Sequence, residues 1–314
     1  MAIARCAFFA LVPLTGALLL AGACSPTYTA PQVYADAGAP DAASDAADAG
    51  VLGNRYLRVY QRHMPWDRIA VNIAGAFPTG NNPVTIEFVM RTRASSPTSP
   101  FGCPASDALC AVAGYLTSGL GGGRVVGLVR VGSDGFVGAT QVGAQLDAGS
   151  HTVTDGAWHH VALVARPTAS DSGTTMAIFS TFVDGTLEVT RTLEATGTAT
   201  GELAIGAAVP GAIEYQSAPV DVTEVRVWNI ALSSAQINFY KNRKRFGNEA
   251  GLLVYFDMTG ANGAALANGP QVLVPNKAST GSALNGLTVG VSMSATEFES
   301  PTFEVGGPVL LPAE

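Results

Sequence analysis

The chain has 314 residues, 47% of them hydrophobic and only 13% charged, with 36 glycines and a net charge of −7. The charged share is about half the usual one, and so apolar, glycine-rich a chain suits an all-β protein with a sizeable core and many turns. Asp36, Asp41, Asp45 and Asp48 face only Arg5 in the first fifty residues, leaving 16 basic and 20 acidic side chains beyond them, which excludes a basic field of the kind that binds nucleic acid.

The chain opens MAIARCAFFALVPLTGALLLAGACSP. Arg5 supplies a positive n-region, Cys6 to Leu20 an apolar h-region and Ala21-Gly22-Ala23 a small-residue cleavage site, so residues 1–23 are expected to be a signal peptide. Pro13 and Gly16 interrupt the apolar run, which is short for a permanent membrane span. LAGAC resembles the lipobox of bacterial lipoproteins, which implies that Cys24 is diacylated and becomes the mature N-terminus. Ala21 stands where that family prefers Leu, and Ala21-x-Ala23 also suits an ordinary signal peptidase, so a secreted protein is the alternative. Ser25, in place of Asp, implies no inner-membrane retention in a Gram-negative cell. The stretch APQVYADAGAPDAASDAADAG that follows cannot bury enough apolar surface to offset its ordering entropy, and its aspartates repel one another. Residues 24–53 are therefore expected to tether a body, residues 54–314, to the outer membrane or cell surface.

In the body, VTIEFVMRT (Val84 to Thr92) alternates apolar and mixed positions, as in a sheet with one buried side. A Ser-, Pro- and Ala-rich insertion, RASSPTSPFGCPASDALCAVAG, separates it from a strand expected near Tyr115. Loops longer than about 12–15 residues tend to be functional or disordered. Cys103 and Cys110 fit no zinc or redox spacing, and in an exported protein they read as a local disulfide. Phe101, between Pro100 and Gly102, would then be an aromatic presented near the tip, the candidate ligand contact. Next come RVVGLVRV (Arg124 to Val131), a Ser133-Asp134-Gly135 turn and FVGATQV. Asp184-Gly185 between AIFSTFV and TLEVTRTL repeats the Asp-Gly hairpin signal. Further strands are expected at Leu203 to Ala207, Thr223 to Trp228 and Leu252 to Phe256.

DGAWHHVALV (Asp155 to Val164) sets two of the four histidines side by side. On a strand, successive side chains point to opposite faces, so His159 and His160 do not converge on one ion. His63 and His151 have no partner at a metal spacing. Ser233 and Gln236 form the pattern of a capping box opening a short helix near 233–246. Lys241, Arg243, Lys244 and Arg245 fall in its last turns, favourable against the helix dipole, and Gly247 can close it.

In order along the chain, TDGAWHHVALV, FVDGTLE, GELAIGA and VTEVRVWNIALSSAQI resemble the bacterial laminin-G-like, concanavalin A-like jelly-roll family. VTIEFVMRT resembles its early strand and GNEAGLLVYFDM its closing strand, so the likeness spans roughly residues 54 to 260. It implies two antiparallel sheets packed as a sandwich, with Trp158 and Trp228 as packing residues. Trp158 shares a strand face with Ala162 and Val164 and is expected to be the deeper of the two. Trp228 shares its face with Glu224 and Arg226.

The resemblance also implies a non-catalytic module that recognises a glycan or protein ligand on rim loops. The same fold hosts glucanases, whose carboxylates sit in an E-x-D-x-x-E run, and retaining chemistry needs two carboxyls about 5–5.5 Å apart. No such run is present; Asp221 and Glu224, three apart, fall on opposite faces of a regular strand. Calcium sites of relatives use rim-loop acids, but Asp134 and Asp155 read first as turn formers and Thr223 stands where the family more often has Asp. No cofactor or metal ligand is assigned. The membrane is reached through the lipid alone. The alternatives are a structural envelope lipoprotein packed against other components, or a glycoside-active enzyme.

Overall fold

The computed structural model describes residues 55–59, 68–72, 82–93, 109–117, 124–131, 137–140, 149–168, 176–194, 199–206, 215–217, 220–259, 273–280, 284–289 and 302–313. Sixteen strands and one helix run through them. The first sheet has the order β16-β1-β12-β3-β7-β8-β9, with β13 also on β12. Its strands are β1 (Arg55–Arg58), β3 (Val84–Thr92), β7 (His159–Thr168), β8 (Met176–Val183), β9 (Thr186–Glu194), β12 (Val220–Trp228), β13 (Leu252–Phe256) and β16 (Thr302–Val305). The second sheet has the order β14-β15-β2-β10-β4-β5-β6, with β11 also on β4. Its strands are β2 (Arg68–Asn72), β4 (Leu109–Thr117), β5 (Arg124–Val131), β6 (Val137–Thr140), β10 (Ala199–Ile205), β11 (Tyr215–Ser217), β14 (Leu273–Val274) and β15 (Gly286–Val289). Every pairing is antiparallel except β11 with β4. This is the expected jelly-roll sandwich.

The core lies between the sheets because alternate residues of each face inward. Ile86, Phe88 and Met90 of β3, Val161 and Leu163 of β7, and Val222, Val225 and Val227 of β12 form one cluster with Ile69, Val71, Leu203 and Ile205 of the other sheet. Gly286 marks how closely the layers approach: a Cβ there would meet Phe256 Cζ of the other sheet at 3.1 Å, besides Ile69 Cγ2 of the neighbouring strand at 2.5 Å. Residues beyond 260 complete both sheets, β16 pairing with β1 and β15 with β2. Nothing in the sequence beyond 260 resembled the family, yet this segment supplies an outer strand to each sheet.

Several boundaries differ from expectation. The strand expected near Tyr115 begins at Leu109, so Leu109 to Gly114 belong to β4 and the insertion proper is 94–108. The helix, α1, is Ser234–Tyr240, much shorter than 233–246. Its capping box is present, Ser233 accepting from the Gln236 backbone N–H at 3.2 Å and Gln236 accepting from the Ser233 N–H at 2.8 Å. Lys241 is the C-cap, and the chain then turns to pair with the C-terminal segment, Lys244 N–H donating to the Leu311 carbonyl at 2.9 Å. The four basic residues therefore follow the helix instead of filling its last turns: Arg245 is buried, and Gly247 (φ +92) sits against the Lys277 carbonyl instead of closing the helix.

Strand β3 also departs from a sheet with one wet side, since Thr85, Glu87 and Val89 are as buried as the inward row. A second cluster covers the outer face of the first sheet, built from Ala162, Val164, Phe182, Trp228, Leu232, Ile237, Leu252 and Tyr255. Helix α1 lies over this face because Ile237 is its buried position, and Asn238 and Lys241 bind the Asp184-Gly185 turn through its carbonyls at 3.2 and 2.7 Å.

Candidate functional site

The paired histidines do diverge, as the strand period demands, and each meets carboxylates. His159 lies between Asp184 Oδ2, at 2.8 Å, and Asp155 Oδ1, at 2.9 Å. The hydrogen bond with Asp184 is the largest influence on the imidazole; burial opposes it, the Asp155 bond adds to it, and the pKa rises to about 9. Asp155 also accepts from Ala157 N–H at 2.8 Å, the local turn bond expected of it. Asp184 (φ 49) and Gly185 (φ 82) have the positive dihedrals of a two-residue hairpin turn. His151 binds Glu188. Among the described residues no group of three His, Cys, Asp or Glu side chains could hold a metal ion.

His160 faces the other way, 3.1 Å from Glu87 Oε2. Glu87 Oε1 accepts from Arg226 Nη1 at 3.2 Å and from Trp228 Nε1 at 3.1 Å. Arg226 Nη2 donates to Glu224 Oε2 at 2.9 Å, and the Tyr255 hydroxyl donates to the same oxygen at 3.1 Å. Burial would raise the Glu87 carboxyl, but the Arg226 charge and the His160 hydrogen bond outweigh it and hold the pKa at about 2. Burial likewise works against the Arg226 cation, yet Glu87 and Glu224 raise its pKa above the ordinary arginine value. Burial, with Glu224 nearby, pushes the Tyr255 phenol up. This network explains why Trp228 is 1% exposed on a charged face. Its indole N–H has a carboxylate partner and its ring stacks on Tyr240, centroids 5.3 Å apart. Trp158 is only half-buried, so the expected ranking of the two tryptophans is reversed.

A β-bulge corrects a second expectation. The β12–β3 register shifts between Thr223 and Arg226, and Glu224 takes φ 51. Two residues there oppose one on β3, so Val222 and Val225 both face the core. Asp221 and Glu224 therefore share the outer face instead of opposite ones. Each is closed by cations: Glu224 by Arg226, and Asp221 by three arginines.

Asp221 lies on this face at its β1 side. It stands directly across from Arg58 on β1 and Arg91 on β3. Its side chain is fully buried, with Arg58 Nε at 3.1 Å, Arg91 Nη2 at 2.6 Å and Arg93 Nε at 3.0 Å. The three guanidinium side chains are 26–27% exposed. Arg91 lies over the rings of Trp158, at 4.7 Å, and Tyr56, at 5.4 Å, and those rings meet edge-on at 5.4 Å. Arg58 Nη2 donates to the Tyr56 hydroxyl at 2.8 Å. An ionic and aromatic platform thus closes one end of the sheet face, held rigid by paired carboxylate contacts and ring stacking.

Sequence reasoning missed this platform. Its signals were the i, i+2 pairs Tyr56 with Arg58 and Arg91 with Arg93, which put like side chains on one strand face. What hid it is the separation of 163 residues between Arg58 and Asp221. The residues singled out in advance stand elsewhere: Cys24, Phe101 and Cys103 lie outside the described residues, as does Asp134. Cys110 is on β4, opposite Val131 and Gln216. The insertion carrying Phe101 departs directly after Arg93, a member of the platform. No helix among the described residues is long and apolar enough to cross a membrane.

Two packed antiparallel sheets, capped by a short helix over one outer face, define a jelly-roll of the lectin-like class. Residues 68–238 match the family model of the concanavalin A-like lectin/glucanases superfamily, and the chain belongs to that superfamily. Among solved structures it is similar to a candidate carbohydrate binding protein from Bacteroides ovatus, with 17% identity, TM-score 0.47, and 83% of this chain and 62% of that one covered. It is also similar to a Trypanosoma rangeli sialidase in complex with 2,3-difluorosialic acid (15% identity, TM-score 0.39, 60% and 27% covered). A third similarity is to mouse laminin α1 chain domains LG4-5 (15%, TM-score 0.35, 58% and 44%). The chain spans less than two thirds of the length of each of these. No curated protein matches it.

Proposed function

We propose that the protein is a non-catalytic binding module for a glycan or protein ligand, exported and tethered to the bacterial envelope through a lipid on Cys24 and the 24–53 segment. The observation that carries this reading is the Asp221 platform. It is rigid, partly open, and built of groups that recognise ligands: three guanidinium groups beside a half-buried indole. The insertion with Phe101 follows Arg93 in the chain, and with a disulfide between Cys103 and Cys110 it would supply a second contact region. The non-catalytic part is supported by the state of the carboxylates that now share a face. Glu224 and Asp221 are each ion-paired to arginine, which ties up the oxygens a glycosidase would need free as acid and nucleophile.

The deciding experiment is a glycan-array screen of the full chain, with and without calcium, beside an assay for hydrolysis of β-glucans. Binding without turnover supports the module; release of reducing sugar overturns it. The structural-envelope reading draws on the exposed Phe239 and Phe246 around α1. It would gain ground if no glycan binds and cross-links to envelope proteins map to that helix.

A further inference from the structure

We infer that the surface where the C-terminal segment meets the end of helix α1 docks on an anionic lipid bilayer. Its phenylalanines enter the headgroup region and its lysines face the lipid charge. The inference rests on the lipidation reading for where the body sits, and adds a second membrane contact to the one expected through Cys24. Among the described residues five large apolar side chains stand exposed, and four of them are here: Phe239 (46%), Phe246 (64%), Val309 (95%) and Leu311 (54%). Backbone bonds hold the two segments together. Leu311 N–H donates to the Asn242 carbonyl at 2.8 Å and Lys244 N–H to the Leu311 carbonyl at 2.9 Å, which sets Leu311 beside Arg243. The Arg243 guanidinium in turn lies over the Phe239 ring at 4.7 Å. Exposed apolar groups are ordinarily scattered singly, so this gathering points to a partner.

The charge around these groups selects the partner. FYKNRKRF, Phe239 to Phe246, sets four basic residues between two exposed phenylalanines with no acid among them. Arg245 is buried. Glu249, the acid that follows, is taken up by the Phe246 and Gly247 N–H groups, both at 2.9 Å. Lys241 Nζ donates to the Asp184 carbonyl, and the Lys244 ammonium has no acidic partner among the described residues. Phenylalanine and lysine on one surface suit a bilayer interface, where rings enter the acyl boundary and ammonium groups reach anionic headgroups. A second copy fits less well, because a two-fold interface sets the same patch against itself and brings the lysines together.

The path of the chain agrees. The Thr223 hydroxyl donates to the carbonyl of Arg55, where the body begins, and Arg226 donates to the Tyr240 and Arg243 carbonyls. Thr223 and Arg226 are three positions apart on β12, roughly 10 Å along a strand, so the lipid-bearing segment enters the body close to this surface. Residues 24–53 could span up to about 100 Å when extended and would not orient the body by themselves. Tethering raises the effective concentration of lipid at the surface, so a weak patch suffices to orient it.

The test uses the chain from residue 24 carrying Cys24→Ser, so that no lipid contributes, together with its F239S/F246S and K244E variants. Co-sedimentation is measured with vesicles of phosphatidylglycerol and phosphatidylethanolamine, and with vesicles of phosphatidylcholine alone. Circular dichroism melting of each variant checks the fold. We expect binding to the phosphatidylglycerol vesicles to be about tenfold tighter than to phosphatidylcholine, and to weaken with added salt. F239S/F246S is expected to lose about tenfold and K244E about fivefold. No binding to phosphatidylglycerol vesicles overturns the proposal, as do equal binding to both lipids and unchanged binding by a folded F239S/F246S variant. A dimer in solution that F239S/F246S abolishes overturns the bilayer in favour of a second copy, and cross-links from α1 to envelope proteins overturn it in favour of a protein. Should F239S/F246S fail to fold, K244E decides: parental affinity overturns the proposal. Vesicle binding is read without the lipid, so the two readings fail separately. Fatty-acid label on Cys24 with no vesicle binding removes this surface alone, and vesicle binding with no label on Cys24 removes the tether alone.

Discussion

The indole N–H of Trp228 donates to Glu87 Oε1 at 3.1 Å, across the β12–β3 pair and beneath helix α1. The same carboxylate receives Arg226 and faces His160, so one glutamate satisfies three polar neighbours in the interior. Trp228→Ala removes the ring stacked on Tyr240 and leaves a cavity under the helix. It should cost about 3–5 kcal/mol, the range for truncating a buried aromatic. Trp158→Ala should cost clearly less, because that ring is half-exposed. Urea unfolding of both variants checks the order, and the reverse order would contradict the packing described.

Glu87→Gln breaks a buried pair from one side and strands the Arg226 charge with Glu224 alone. A loss of about 3–5 kcal/mol is expected at neutral pH. The folded-state pKa of Glu87 is about 2 against an ordinary 4.5, so its stabilising contribution is complete above about pH 4.5 and disappears as the pH falls towards 2. Acid titration of stability should therefore show a flatter limb in Glu87→Gln than in the parent. Parallel acid limbs would count against the assignment.

His159 works in the opposite direction. Its pKa is raised from 6.5 to about 9 by the Asp184 and Asp155 hydrogen bonds. Stability from the protonated imidazole is therefore fully present below about 6.5 and is lost as the pH rises through about 9. An Asp184→Asn variant should lose part of that alkaline dependence, read from thermal unfolding between pH 6 and 10, roughly the window those values define. The same midpoint shift in parent and variant would rule out the bridge as its source.

Lipidation is tested by metabolic labelling with a fatty acid. The parent is expected to carry label and fractionate with the envelope, and Cys24→Ser to be unlabelled and released. Equal release of both proteins would argue for the ordinary signal-peptidase route.

The fold was legible because its information is local. The strand at VTIEFVMRT, the Asp184-Gly185 turn and the Ser233–Gln236 box each rest on a few residues, and the structure contains all three, though both faces of that strand are buried. The opposite orientation of His159 and His160 also followed from strand geometry alone. The depth of Trp228, the common face of Asp221 and Glu224, and the arginine platform depended on tertiary structure. A strand's period states which residues share a face but not what covers that face, so Trp228 among charges looked the shallower of the two tryptophans until α1 and Tyr240 lay over it. One residue in a left-handed conformation at Glu224 reverses the parity of everything after it. The platform needs β1, β3 and β12 side by side, and only sheet order brings Arg58 to an aspartate 163 positions away.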